Sequence, residues 1–259
     1  MSLSKFVPIV SYIQSVVRAE NAYLLPLRIF IGVGWMRAGL EKLIEPGWLN
    51  GTALTNFLGG QLEAGQVIFP FYRLWIEKIF LPGAPALGWV ILVGQLLVGL
   101  AVLTGTLTNF ALLWGLFMNI NFILAGQVTP SAFYVVIQIV LLLGNAGVIL
   151  GLDQILGRRI PLRVLVSRKE TSVERLWIER RLFVSLALIS LGAGVLAIPF
   201  IRDYSPHSVD DPAMILLVLG VFTSLSSIIM YLRLPGDSGI QDADAREAAR
   251  PRPRHMTVK

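Results

Sequence analysis

The chain has 259 residues, 55% of them hydrophobic and only 15% charged, with a mean hydropathy of +0.70, a balance that no ordinary soluble domain needs. It contains no cysteine, which excludes disulfide exchange, thiolate metal sites, cysteine-ligated iron–sulfur clusters and haem attached through cysteine. The net charge of +6 is gathered in two segments near the C-terminal half, a distribution that argues for membrane orientation and against nucleic-acid binding.

Residues 1–21 show no continuous apolar core bounded by a small-residue cleavage site. Pro8, Ser11, Gln14, Arg18 and Glu20 are scattered through them, so they read as a retained interfacial segment, not a signal peptide. The stretch from Leu24 to Ile44 is long and apolar enough to cross a bilayer, yet it carries Arg28, Arg37, Glu41 and Lys42. A charge at membrane depth is costly unless it is paired, wetted or within reach of the interface. At about 100° per residue, Arg28, Gly32, Gly39 and Lys42 share one stripe, and Gly34, Arg37 and Glu41 share nearly the opposite one. The glycines of the first stripe suit close helix packing. Arg28 and Lys42 stand near the two ends, where snorkelling and a functional role are both open readings. Arg37 and Glu41, one turn apart, are expected to form a buried intrahelical ion pair.

The segment from 45 to 88 is the one extended loop on its side. It holds Trp48, Phe69, Phe71, Tyr72, Trp75 and Phe80, and its residues 71–81 have helical spacing suited to an interfacial aromatic belt or a lid. Five further apolar runs follow, at 87–103, 110–125, 132–152, 182–201 and 213–232, each near the roughly 20 residues that a spanning helix requires. Gln95 lies one turn before Gly99 on the second span, Asn119 and Asn121 are on the third, and Gln138 and Asn145 are placed on one face of the fourth. Singly these are interhelical hydrogen bonds; together with the first helix they outline a polar cavity.

The fold class expected is therefore an all-α integral membrane protein. An antiparallel four-helix transmembrane bundle (22–153) is joined by a basic loop (154–181) to a C-terminal two-helix hairpin (182–232), six spans in all, followed by a disordered tail (233–259). The loop carries Arg158, Arg159, Arg163, Arg168, Lys169, Arg175, Arg180 and Arg181, and the tail is similarly basic. The opposite side has only Arg73, Lys78 and Arg202, so both termini are expected in the cytoplasm.

The first-helix pattern L-R-I-F-I-G-V-G-W-M-R-A-G-L-E-K-L at Leu27 to Leu43, with P-G-W-L-N-G at Pro46 to Gly51, resembles the DoxX/DoxD superfamily of membrane proteins. The second helix and its turn, G-Q-L-L-V-G-L-A-V-L-T-G-T-L-T-N at Gly94 to Asn109, are similar too, as are F-I-L-A-G at Phe122 to Gly126 and G-x3-G-L-D at Gly147 to Asp153. The resemblance spans roughly residues 21–153 and places Arg28, Gly32, Gly39 and Lys42 on the family's first-helix motif. It implies a prokaryotic inner-membrane protein related to the DoxD subunit of thiosulfate:quinone oxidoreductases. Gln95 and Asn109 depart from it, standing where the family commonly has Glu and Arg, so a proton-active carboxylate is missing from the second helix.

Two functions from different classes follow. The first is a component of a quinone-linked oxidoreductase, in which Arg28, Arg37 or Lys42 holds an anion such as thiosulfate and electrons pass to membrane quinone. Its expected binding set is Arg28, Arg37, Glu41, Lys42, Gln95, Asn119, Gln138 and Asn145, with Gly32, Gly39 and Gly99 as packing positions. The only histidines, His207 and His255, lie in a loop and the tail, so no bis-histidine haem is expected within the bundle and no metal site is evident. The alternative is a non-catalytic subunit docked to a larger membrane redox complex. In either case the expected partners are the bilayer and a second subunit, with no nucleic acid.

Overall fold

Every apolar run has a helix at its heart. In chain order these are α1 (Leu24–Ile44), α2 (Thr52–Glu63), α3 (Pro70–Trp75), α4 (Ala84–Thr104), α5 (Thr108–Leu124), α6 (Ser131–Leu143), the short α7 (Asp153–Leu156), α8 (Val173–Ala197) and α9 (Pro212–Arg233). The computed structural model describes residues 22–157, 159, 165–167, 173–202 and 211–233, and among these no strand occurs. The N-terminal segment, part of the basic loop, both histidines and the tail from 234 lie outside the described residues.

Among the described residues, three helices are long and apolar enough to cross a membrane, at Ala84–Thr104, Arg180–Phe200 and Pro212–Leu232. The other three expected spans fall short of that standard for different reasons. α1 has 21 residues but four charges, whereas α5 and α6 are apolar but only 17 and 13 residues long.

The fourth apolar run is where helix and hydropathy part. α6 stops at Leu143, and after Gly144 the chain turns at Asn145, whose φ of 51° is left-handed. A 3₁₀ turn at Ala146–Val148 follows, and Leu150 is again left-handed at φ 49°. Ala146, Val148 and Ile149 are buried, so this stretch is apolar because it is packed, not because it is helical. Asn145 is consequently a turn residue and shares no helix face with Gln138. α8 begins within the basic loop, at Val173, ahead of its apolar part.

Four helices close a ring in which α1 touches α4 and α6, and α5 touches α4 and α6. The α1–α4 contact is the tightest, and glycine sets it. A Cβ on Gly99 would stand 2.6 Å from the Met36 backbone nitrogen, and one on Gly32 or Gly39 would meet the side chains of Leu103 or Leu96 at 2.6 and 2.7 Å. Backbone approach of this kind gains dispersion energy that lipid, as apolar as the side chains, does not supply. Leu24, Ile31, Trp35, Val102, Leu112 and Leu141 fill the ring's centre.

One end of the ring is capped by α2, α3 and the π-helical turn Ile76–Phe80 that continues α3. Trp48, Leu54, Leu58, Tyr72 and Ile76 pack there against α4. α8 and α9 pair through Gly194 and Gly220, and α9 docks on α6 through Leu219 against Val135 and Ile139. Phe200 reaches the capped end, its ring 5.0 Å from that of Phe69.

Candidate functional site

Beneath the cap, the ring opens into a cavity of about 550 Å³ walled by Trp48, Phe57, Phe80, Trp114, Phe117 and Phe122 among other apolar side chains. Its size is that of a small-molecule site, and so is its makeup of many apolar walls with few polar groups. The polar groups come from separate elements. Lys42 arrives from the last turn of α1, Trp35 from its middle, Gln95 from α4, Asn119 and Asn121 from α5, and Ser131 and Tyr134 from α6.

Gln95 and Trp35 are each only 2% exposed, yet Gln95 Oε1 and Trp35 Nε1 have no hydrogen-bond partner among the described residues. A buried polar atom without a partner is costly, so an unused acceptor and an unused donor on residues lining one cavity mark a place for an occupant. Lys42 Nζ lies 4.8 Å from the centre of the Trp48 ring, and that ring is fixed by its Nε1, which donates to Gly88 O at 3.0 Å. The ammonium is thus held against an aromatic face on the cavity wall. Behind the wall Asn119 Nδ2 donates to Gln138 Oε1 at 3.0 Å, and Gln138 is fully buried. Gly115 makes this possible, because a Cβ there would collide with the Gln138 amide.

The cap is tied down by Tyr72, whose hydroxyl lies 3.0 Å from both the backbone and side-chain oxygens of Asn121 and donates to them. Burial pushes its phenol pKa up, so it stays a donor throughout the ordinary pH range. Tyr72→Phe is expected to cost about 1 kcal/mol, the usual net value of such a bond, and to speed amide exchange in α3. Hydrogen exchange followed by mass spectrometry checks this, since α3 should respond and α1 should not.

Three of the expected site residues stand away from this cavity: Arg37, Arg28 and Asn145, the last in the turn after α6. Arg37 and Glu41 do form an ion pair, Nε to Oε1 at 2.6 Å, but their side chains are 78% and 56% exposed. The expectation of a buried pair is therefore corrected. Gly32, Trp35 and Gly39 set which face of α1 points inward, and Arg37 is on the other side; Glu41 alone of the two also reaches the cavity rim.

Arg28 is buried, but at the opposite end of α1, about 20 Å from Lys42 along the axis at 1.5 Å per residue. Its guanidinium donates to Ala146 O at 2.7 Å, Ile149 O at 2.6 Å and Leu150 O at 3.2 Å. Asp153, fully buried nearby, accepts from the backbone nitrogens of Leu107 at 2.8 Å, Thr108 at 3.0 Å and Ser167 at 3.2 Å. Asn109 belongs to the same cluster, accepting from the Ser167 hydroxyl at 2.7 Å. Arg28 thus clamps the turn after α6, and Asp153 caps the start of α5.

Lys42, Gln95 and Asn119 are accordingly the members of the expected set that the fold brings to one cavity, with Glu41 at its rim and Gln138 behind it. Trp35 was missed, and Tyr72 was named only among the loop aromatics read as a belt or a lid. Nothing in an aromatic residue's place on an apolar helix distinguishes a donor left without a partner from ordinary core. No protein family model, curated protein or solved structure matches the chain.

Proposed function

We propose that this cavity binds the ring of a membrane quinone and that the protein is the quinone-side component of a membrane oxidoreductase. The observation that carries the reading is the pair of unpartnered buried atoms, Gln95 Oε1 and Trp35 Nε1, on residues that line the same aromatic-walled chamber as Lys42. A quinone offers only carbonyl acceptors, which suit the Trp35 N–H and Lys42. A quinol also offers hydroxyl donors, which suit Gln95 Oε1. One chamber therefore serves both redox states. The six-span arrangement in a prokaryotic inner membrane, with both termini cytoplasmic, belongs to the same proposal and rests on the Lys/Arg distribution.

A sulfur oxyanion such as thiosulfate as the electron donor rests on the resemblance alone, because Arg28 and Arg37 lie away from the cavity. A second subunit supplies the donor site in this reading.

Quinone binding is measurable by quenching of the tryptophans that line the chamber, using a short-chain soluble quinone and the full chain in lipid nanodiscs. Gln95→Leu and Lys42→Met should each weaken binding at least tenfold, about 1.4 kcal/mol, with the fold retained. If no quinone binds the wild type and the chain instead purifies stoichiometrically with a larger complex, the non-catalytic subunit reading replaces this one.

A further inference from the structure

The outward face of α1 is organised. Phe30, Val33, Leu40 and Ile44 are each half or more exposed, and Arg37, with a side chain 78% exposed, falls between them. The steps along 30, 33, 37, 40 and 44 alternate three and four residues, which is the spacing of a helix–helix seam. A shallow groove of about 380 Å³ runs beside the seam, floored by Met36 and by Leu103 of α4.

The polar centre of the seam is incomplete. Arg37 uses Nε on Glu41 Oε1, and its two terminal nitrogens and Glu41 Oε2 have no hydrogen-bond partner among the described residues. Arg37 is seven residues from the end of α1, about 10 Å inside it, so facing hydrocarbon would leave these donors and acceptors unmet. The α8–α9 hairpin does not cover them, for it docks on α6 and the capped end. The unmet atoms are complementary to one another: guanidinium donors and a carboxylate acceptor on one turn. A two-fold axis beside that turn would place the Arg37 of each copy against the Glu41 of the other, meeting both needs at once.

We propose that the protein forms a homodimer through α1, with Phe30, Val33, Leu40 and Ile44 as the apolar seam and a reciprocal Arg37–Glu41 quartet at its centre. The occupant is a second copy because the face carries both signs of charge in the arrangement that completes itself on two-fold rotation. A partner of single charge would satisfy only half of it.

The chain's lack of cysteine makes the test direct. Val33→Cys and Leu40→Cys, oxidised in native membranes, should give disulfide-linked dimers, whereas Leu188→Cys on the exposed face of α8 should not. Charge reversal gives the decisive arm. Arg37→Glu alone gathers four carboxylates at the axis and Glu41→Arg alone gathers four guanidiniums, so each purified variant should lose most of its dimer in nanodiscs. Co-expressed with different tags, the two variants should pull each other down at least tenfold above the recovery of either with a second tagged copy of itself. An ion pair confined to one chain predicts no such preference. A wild type that is monomeric in lipid, cysteines at 33 and 40 that cross-link no better than the one at 188, or variants that mix without preference would each overturn the proposal.

Discussion

Arg28→Met is expected to lower stability by about 3–5 kcal/mol, among the largest effects of any single change in the chain. The methionine fills comparable volume but donates nothing, so the carbonyls of Ala146, Ile149 and Leu150 lose a shared donor in a buried setting, and Asp153 loses the nearby positive charge. Arg28→Lys should fall between, because one ammonium keeps the charge but lacks the planar fork that serves three carbonyls at once. Adding Asp153→Asn to Arg28→Met should not recover the loss, because both Asp153 oxygens accept from backbone nitrogens and the amide would set a donor against at least one of them. Thermal unfolding in one detergent ranks the four proteins. The fraction that remains folded should bind quinone as the wild type does, because the clamp and the cavity are at opposite ends of α1. A drop in affinity without a drop in stability would mean that Arg28 belongs to the binding site and that its role as a clamp is misassigned.

That outcome for Arg28 shows what a sequence does and does not disclose here. The bounds of α1 were legible because a largely apolar stretch of helix length ends at Pro46-Gly47, and α4 was legible from its charge-free apolar run. A helical wheel gives the angle between Arg28 and Arg37, which is why both polar stripes were found. It does not say which stripe faces inward; that depends on where Gly99 and Leu103 of a second helix lie. The partners of Arg28 are more than a hundred residues away, and the Asp153 carboxylate caps a helix that begins 45 residues before it, so neither contact leaves a local signature. The loss of helix after Leu143 was hidden because hydropathy reports burial and not backbone conformation. α2 was missed for the opposite reason: TALTNFLGGQLE is weakly apolar, its buried positions are only Leu54 and Leu58, and its start rests on turn contacts in which the Thr52 nitrogen donates to Asn50 Oδ1 and the Ala53 nitrogen to Gly47 O. Gln95 and Asn119 were found because an amide on an otherwise apolar helix is conspicuous.

Gly99→Ala should be the most damaging small substitution in the ring, costing about 1–3 kcal/mol, the usual range for overpacking. What decides it is the kind of atom in the way. The new methyl would stand 2.6 Å from the Met36 nitrogen and 3.0 Å from the Gly32 oxygen, both backbone, so α1 and α4 must move apart as rigid bodies. At Gly39 the first obstacle is the Leu96 side chain at 2.7 Å, which is able to rotate before the backbone nitrogen at 3.2 Å is reached, so Gly39→Ala should cost less. Gly60 on α2 has nothing within 4 Å, and there alanine should hold or raise stability by up to about 1 kcal/mol through helix propensity. Thermal unfolding of the three variants in one detergent should therefore rank Gly99 lowest, Gly39 next and Gly60 at or above the wild type. Separating α1 from α4 also carries Trp35 and Lys42 away from Gln95, so Gly99→Ala should weaken quinone quenching along with the fold, whereas Gly60→Ala should leave it unchanged. Equal stability of the Gly99 and Gly60 variants would show that the two helices do not approach as closely as described, and the placement of Trp35 and Lys42 against Gln95 would go with it.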